Sequence, residues 1–263
     1  MIQLNESQYN LLLEPLAQVD FNTYFIRSII AGHVEGKVFA NSANDPKSFY
    51  AISKYGMSLL FGDPDNPHFN AGLLDYFASK SVKKRTKDEW LQAHPRAWDF
   101  MLDALVDKGK AKRYSRINFT FDKSEFIKNN SLISYDDYLV IPTTAAMFNS
   151  IQGAVAPSAF WRNETLFLQE STSFTVVIDG QPASTAFASY RHDQMLEIGI
   201  ETNEKYRGKG LAYIACAILI NYCIKNNLEP MWSCRLENAA SVKLAKKLGF
   251  KQTLVLPYYH ISV

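Results

Sequence analysis

A strand–turn–helix pattern centred on residues 207–212 organises the C-terminal part of the chain. Leu196-Glu197-Ile198-Gly199-Ile200-Glu201-Thr202 alternates apolar with small or acidic residues, the period of two that marks a strand with one buried face. From Leu211 to Ile224 the residues are apolar and alanine-rich without Gly or Pro, which predicts a well-buried helix. Between them stands the basic turn Arg207-Gly208-Lys209-Gly210-Leu211-Ala212. A helix start offers free backbone N–H groups and the positive end of the helix dipole. Gly208 and Gly210 allow close backbone approach, and Arg207 and Lys209 add charge, so the turn is a candidate cradle for phosphates.

The pattern continues on both sides. Pro230 to Cys234 predicts a short strand, and Ala239 to Leu248 a helix capped by Asn238 and closed by Leu248-Gly249-Phe250. Upstream, Phe174 to Ile178 and Gln181 to Tyr190 read as two strands joined by the tight turn Asp179-Gly180. Tyr138 to Ile141 reads as a strand and Thr143 to Gln152 as a helix. In the N-terminal part, helical spacing runs over Asn5 to Val19, interrupted by Pro15, and over Phe21 to Ala31. Three short strands in a meander follow, over 37–41, 48–52 and 57–61, then helices over Asn70 to Ser79 and Pro95 to Val106 and a strand at Ile117 to Phe121. The polar stretch Lys128-Asn129-Asn130-Ser131 predicts a junction, giving an N-terminal α/β region over 1–130 and a second domain over 131–263.

Composition changes this picture little. The chain has 263 residues, 47% hydrophobic and 21% charged, enough for a sizeable core and for more than one small domain. A net charge of +2 gives no general case for nucleic acid or membrane binding. Basic clusters at Lys83, Lys84, Arg85 and Lys87 and over Lys108 to Arg116 read as solvated surface. Cys216, Cys223 and Cys234 have no metal-type spacing, and the first two fall inside the apolar helix, so no metal is expected. The N-terminus lacks the basic start and apolar run of a signal peptide, and the longest apolar run falls short of the ~20 residues of a membrane span. The expected compartment is the cytoplasm.

Two nucleotide-binding fingerprints fail on the turn. The Gly-x-Gly-x-x-Gly/Ala pattern would place the bulky Tyr213 where a small residue belongs, and no Gly-Lys-Ser/Thr follows a glycine at Walker spacing. Arg207, Gly210 and Ala212 instead match the Arg/Gln-x-x-Gly-x-Gly/Ala signature, and with the second helix ending in Leu-Gly-Phe the stretch Met195 to Tyr259 resembles the GNAT superfamily of acyl-CoA N-acyltransferases. Its wording is similar to a bacterial subgroup that includes zwittermicin-resistance acetyltransferases, a weaker resemblance that extends over most of the chain.

The resemblance implies an α/β (α+β) fold: a C-terminal GNAT module with a mixed, splayed central sheet flanked by helices. The N-terminal region is expected to shape the acceptor side or to be structural, and allows a second, degenerate GNAT-like half without a phosphate loop. It implies acetyl-CoA as co-substrate, held by main chain at Ile200 and Thr202, by the turn Arg207, Gly208, Lys209, Gly210, Leu211 and Ala212, and by Asn238 and Ser241. Glu197 and Glu201 are the candidate bases, on one strand face about 13 Å apart at ~3.3 Å per residue. The family's usual general-acid Tyr is replaced by Ala245, which leaves Tyr258, Tyr259, Ser233 or Cys234 as alternatives, or no acid at all. The expected function is N-acetylation of the primary amine of a small metabolite or antibiotic, by a monomer or homodimer, with neither nucleic acid nor membrane as partner. The alternative is a non-catalytic acyl-CoA-binding or interaction module.

Overall fold

The computed structural model describes residues 1–79, 85–130 and 137–263. The chain forms two compact units, the first of 1–116, 235–237 and 255–263 and the second of 117–234 and 238–254. Its strands are β1 (Ile2–Gln3), β2 (Gly36–Ala40), β3 (Ser48–Ser53), β4 (Met57–Gly62), β5 (Glu89–His94), β6 (Lys112–Phe121), β7 (Leu139–Pro142), β8 (Ser173–Ile178), β9 (Gln181–His192), β10 (Met195–Thr202), β11 (Glu229–Arg235) and β12 (Phe250–Ile261).

In the first unit β1, β2, β3 and β4 pair antiparallel in succession, and β4 pairs with β5 in parallel after the crossover helix Pro67–Ala78. The other edge of β5 is taken by the end of β12, with Tyr259 opposite Leu91 and Ile261 opposite Glu89. Asn66 caps the crossover helix, its side chain accepting from Phe69 N at 3.0 Å with Pro67 at the first helical position. β3 is buried along its whole length, which explains why its sequence is apolar without strict alternation.

The second unit repeats the succession. A first strand (β7) is followed by short helices (Ala145–Ser150, Pro157–Phe160, Glu164–Glu170), an antiparallel run β8–β9–β10, a crossover helix Leu211–Lys225, a parallel strand β11, a further helix Ala239–Lys247 and a last strand. Asp179 and Gly180 both take positive φ (51° and 72°) in the β8–β9 hairpin, as a tight turn that follows the strand twist requires. The crossover helix buries nine side chains, from Leu211 to Cys223, in a core that also holds Leu196, Ile198, Trp232, Ala245, Leu248 and Phe250.

Several expectations are corrected. The N-terminal helix is a 3-10 stretch, Glu6–Leu12, passing into a single α-helical turn, Leu13–Leu16. β5 and the helices Pro157–Phe160 and Glu164–Glu170 had no sequence counterpart. In the basic cluster over Lys108 to Arg116, Lys108, Lys110, Lys112 and Arg113 are exposed as expected, Arg113 pairing with Asp103 at 3.1 Å, but Arg116 is buried over the Tyr258 ring. Of the earlier cluster, Lys83 and Lys84 lie outside the described residues, but Arg85 is only 2% exposed rather than solvated. It bonds Glu89 Oε1 at 2.9 Å and the carbonyls of Phe77, Ile261 and Ser262. The two units divide inside β6, after Arg116. At the polar stretch 128–131, Asn130 closes a helix of the second unit, Lys123–Asn130, and accepts from Tyr213 Oη at 2.7 Å; Ser131 lies outside the described residues.

Candidate functional site

β10 and β11 run parallel but pair only at Met195, Leu196 and Glu197, opposite Glu229, Pro230 and Met231. β10 continues for five residues beyond that pairing and β11 for four, so the backbone edges of both are left open to a ligand. On its other edge β10 stays paired to β9 as far as Thr202, with a one-residue irregularity between Glu197 and Ile198, where Ser189 Oγ bonds the Glu197 carbonyl at 3.0 Å. Ile200 and Thr202 stand on this stretch. Ile200 packs on the core, and the Thr202 hydroxyl lies 2.8 Å from Ser184 Oγ.

The turn after β10 meets the helix Leu211–Lys225 at Gly210, whose φ of 77° makes it a left-handed cap; no side chain caps the helix. Tyr213 N bonds the Gly210 carbonyl at 3.0 Å, and no side chain caps the earlier N–H groups of the first turn. Gly208 also has positive φ (79°), and a Cβ added at either glycine would meet nothing within 4 Å. The space in front of the helix is open, and it is the backbone conformation rather than packing that demands glycine there. Arg207 reaches back, its Nε bonding the Thr202 carbonyl at 3.2 Å and Nη2 lying 3.7 Å from Glu201 Oε1. Lys209 and Lys205 each lie 5.3 Å from the ring centre of the buried Tyr206, leaving their charge beside the turn.

The first unit supplies an internal comparison. Its parallel pair β4–β5 is joined at every position from Met57–Trp90 to Phe61–His94, with no gap. Its turn before the crossover helix carries Asp63 and Asp65, and the helix start is already occupied by the Asn66 cap. Two carboxylates and a filled cap repel rather than receive a phosphate.

Glu197 and Glu201 are both buried, on the face of β10 opposite Leu196, Ile198 and Ile200. Glu197 accepts from the hydroxyl of Ser233 on β11, two residues beyond the last paired position. Glu201 Oε2 accepts from the backbone N–H of Val155 at 2.8 Å, and Oε1 from Thr202 N at 3.2 Å. A cavity of about 120 Å³ opens beside it, lined among others by Ser150, Gln152, Ser184, Thr185 and Asn203. These lining residues escaped the sequence reading. The single signal that pointed to them was Gly153 among small residues after the Ala145–Ser150 helix.

Other candidates fall elsewhere. Tyr258 belongs to the first unit, packed on Trp90 at 5.2 Å and under Arg116, whereas Glu197 and Glu201 stand on β10 of the second. Tyr259, also in that unit, donates to Asp103 at 2.8 Å, and burial raises its phenol above the usual range. Asn238 caps the Ala239–Lys247 helix through Ser241 N at 3.1 Å, and Ser241 Oγ accepts from Trp232 Nε1 at 3.2 Å. Ala245 is fully buried in the core. Burial pushes the Cys223 thiol up to about 12 and Cys216 further, so neither is a ready thiolate nucleophile. Among the described residues no group of three or more His, Cys, Asp or Glu is placed to hold a metal, and no helix is long and apolar enough to cross a membrane.

Comparison with known proteins is consistent across sequence and structure. A family model described as GNAT acetyltransferase matches residues 15–259. An uncharacterized N-acetyltransferase of Bacillus subtilis (strain 168), YdfB, is 28% identical over 244 residues, covering 90% of this chain and 89% of its own. Among solved structures, a GCN5-related N-acetyltransferase-like protein from Streptococcus suis 89/1591 superposes with a TM-score of 0.74 at 20% identity, over 97% of this chain and 98% of its own. A tandem GNAT protein from the clavulanic acid biosynthesis pathway superposes with a TM-score of 0.59 at 8% identity, over 98% and 95%. The likeness of fold to a tandem protein agrees with the repeated succession of elements in the two units.

Proposed function

The chain belongs to the GNAT acetyltransferase family, a family of acyltransferases that generally use acetyl-CoA, and from that premise we propose that its second unit transfers the acetyl group of acetyl-CoA to the primary amine of a small molecule. One observation carries the proposal. The gap between β10 and β11 opens beside an uncapped, glycine-shaped helix start, and the first unit repeats the same elements without either feature. Ile200 offers main chain to the pantetheine arm, Thr202 would do so in exchange for the bonds its N–H and carbonyl make to Glu201 and Arg207, and Arg207 to Ala212 offer N–H groups and charge to the pyrophosphate. Asn238 and Ser241 stand at the start of the helix after β11, on the far side of the gap.

In the reaction an amine nitrogen attacks the thioester carbonyl, the N–C bond forms and the C–S bond breaks. The amine proton goes to a carboxylate, and the thiolate takes one from solvent. Glu197 is the base favoured here, because it sits where the parallel pairing stops and its partner is a side-chain hydroxyl. Solvent suffices as acid because a thiolate is a good leaving group, which fits the buried Ala245 in place of a tyrosine. The acceptor class, an amino-bearing metabolite or antibiotic as in zwittermicin-resistance enzymes, rests on the wording of residues 200–212 and 241–250.

The test is calorimetric titration with acetyl-CoA followed by a thiol-release assay over a panel of primary amines. Micromolar binding with amine-dependent release of CoA is the expected result. Ala245 favours one rival, a silent acyl-CoA-binding module, which would bind acetyl-CoA and release no thiol with any amine.

A further inference from the structure

Between the buried Ile151 and Ala156 the chain crosses an irregular stretch, exposed over Gln152 to Ala154 and half-buried at Val155, with no helix or strand of its own. Ser150, Ile151 and Gln152 form one wall of the cavity beside Glu201, facing Pro182 to Thr185 of β9. The residues that follow this wall, Gly153 and Val155, are tied to the sheet by Glu201. The Glu201 carboxylate, 9% exposed as a side chain, takes the Val155 N–H at 2.8 Å and rests against the backbone of Gly153. A Cβ at Gly153 would lie 2.2 Å from Glu201 Cδ and Oε2, and the φ of 147° there is one that side chains rarely adopt. The carboxylate and the glycine thus fit each other: only a residue without a side chain lets the backbone come this close.

The other oxygen of Glu201 faces Arg207, the first residue of the basic turn, at 3.7 Å. One carboxylate therefore touches both the wall of the cavity and the turn in front of the crossover helix. A carboxylate with a backbone N–H on one oxygen and a guanidinium near the other is held in place, and it is poorly suited to swing toward an incoming amine.

Taking the second unit as the acetyl-transfer unit, we propose that Glu201 is a positioning residue rather than the base: it latches the 152–155 segment over the cavity, shapes the acceptor pocket, and requires Gly153 opposite. The pocket is small, with Ile151, Pro182 and Ala183 beside hydroxyl, amide and carboxylate groups in its lining, which selects a compact acceptor end over a long chain.

The test has two arms. Hydrogen–deuterium exchange of the peptide spanning 150–158 is measured for wild type, Glu201→Gln, Glu201→Ala and Gly153→Ala, with a thermal melt of each as a control for folding. Glutamine keeps an oxygen for the Val155 N–H, so Glu201→Gln retains slow exchange, whereas Glu201→Ala and Gly153→Ala exchange at least about tenfold faster in this peptide alone. In the kinetic arm, with an amine that supports thiol release, Gly153→Ala raises the acceptor KM by about tenfold or more while kcat changes less than about threefold. Unchanged exchange in both Glu201→Ala and Gly153→Ala would overturn the latch. A fall in kcat of about a hundredfold in Glu201→Gln, with exchange still slow, would overturn it in favour of Glu201 as base. If no amine supports turnover, the acetyl-transfer reading fails while the exchange arm still decides the latch.

Discussion

Gly210→Glu separates the stability of the helix start from its use. At φ 77° a residue with a side chain costs about 1–2 kcal/mol in backbone strain. A carboxylate at a helix N-terminus returns about 0.3–1 kcal/mol, and nothing lies within 4 Å to clash with the first atom of the side chain. The net cost to folding is about 1 kcal/mol, a shift of a few degrees in Tm for a unit of this size. The cost to binding is larger. A carboxylate about 5 Å from one pyrophosphate charge, at an effective dielectric near 20, repels it by about 3 kcal/mol, roughly two orders of magnitude in Kd. The assay is calorimetry with CoA and with acetyl-pantetheine, which lacks the pyrophosphate, on wild type, Gly210→Glu and Gly210→Ala. CoA affinity should collapse in the glutamate variant and recover partly at high salt, while acetyl-pantetheine affinity stays within about threefold. A folded Gly210→Glu protein that binds CoA as wild type does would refute the placement of the pyrophosphate on this turn.

Three further outcomes follow from packing and charge. Arg85→Ala leaves Glu89 buried between the Tyr50 and Tyr76 hydroxyls without its cation, and should cost about 3–5 kcal/mol in thermal or denaturant unfolding. Burial, reinforced by the Glu89 carboxylate, holds Tyr50 and Tyr76 protonated in the folded chain well beyond the ordinary phenol range. The unfolded chain loses those protons from about pH 10, so stability is complete below that pH and falls above it by up to about 1.4 kcal/mol per pH unit for each tyrosine; a flat profile in urea titrations from pH 9 to 11 would contradict this. Gly249→Ala should destabilise by more than Gly208→Ala, although both glycines have φ near 80°. A Cβ at 249 meets Phe126 N at 2.7 Å and Asp122 O at 2.9 Å, whereas at 208 it meets open space, so parallel melts should separate about 1 kcal/mol of strain from a greater loss.

The second unit was legible where its signals are local. The alternation of 196–202, the apolar run after Leu211, the Asp179-Gly180 turn and the Asn238 cap each state their structure within a few residues, and each stands where expected. β5 was invisible because its first residue, Glu89, is buried against Tyr50 and Tyr76, 39 and 13 residues away, as well as Arg85. Arg85 looked like surface for the same reason: its acceptors include carbonyls more than 170 residues away. In the site, the glycine turn could be read from the sequence and the cavity could not. Its wall runs from the end of a short helix into an irregular segment that a carboxylate from a distant strand bonds at Val155.

The membership of 255–263 in the first unit bears on how the protein is made. A ribosome delivers β1 to β5 early, yet Arg85 must wait for its acceptor on Ser262, which is synthesised 177 residues later. At about 5–20 residues per second that is roughly 9–35 s during which the guanidinium lacks those carbonyls and the free edge of β5 lacks its neighbour. The half that is translated first is thus completed after the half that follows it. A stop codon at position 255 would strike the N-terminal unit, although the stretch 1–116 that supplies most of it would be intact.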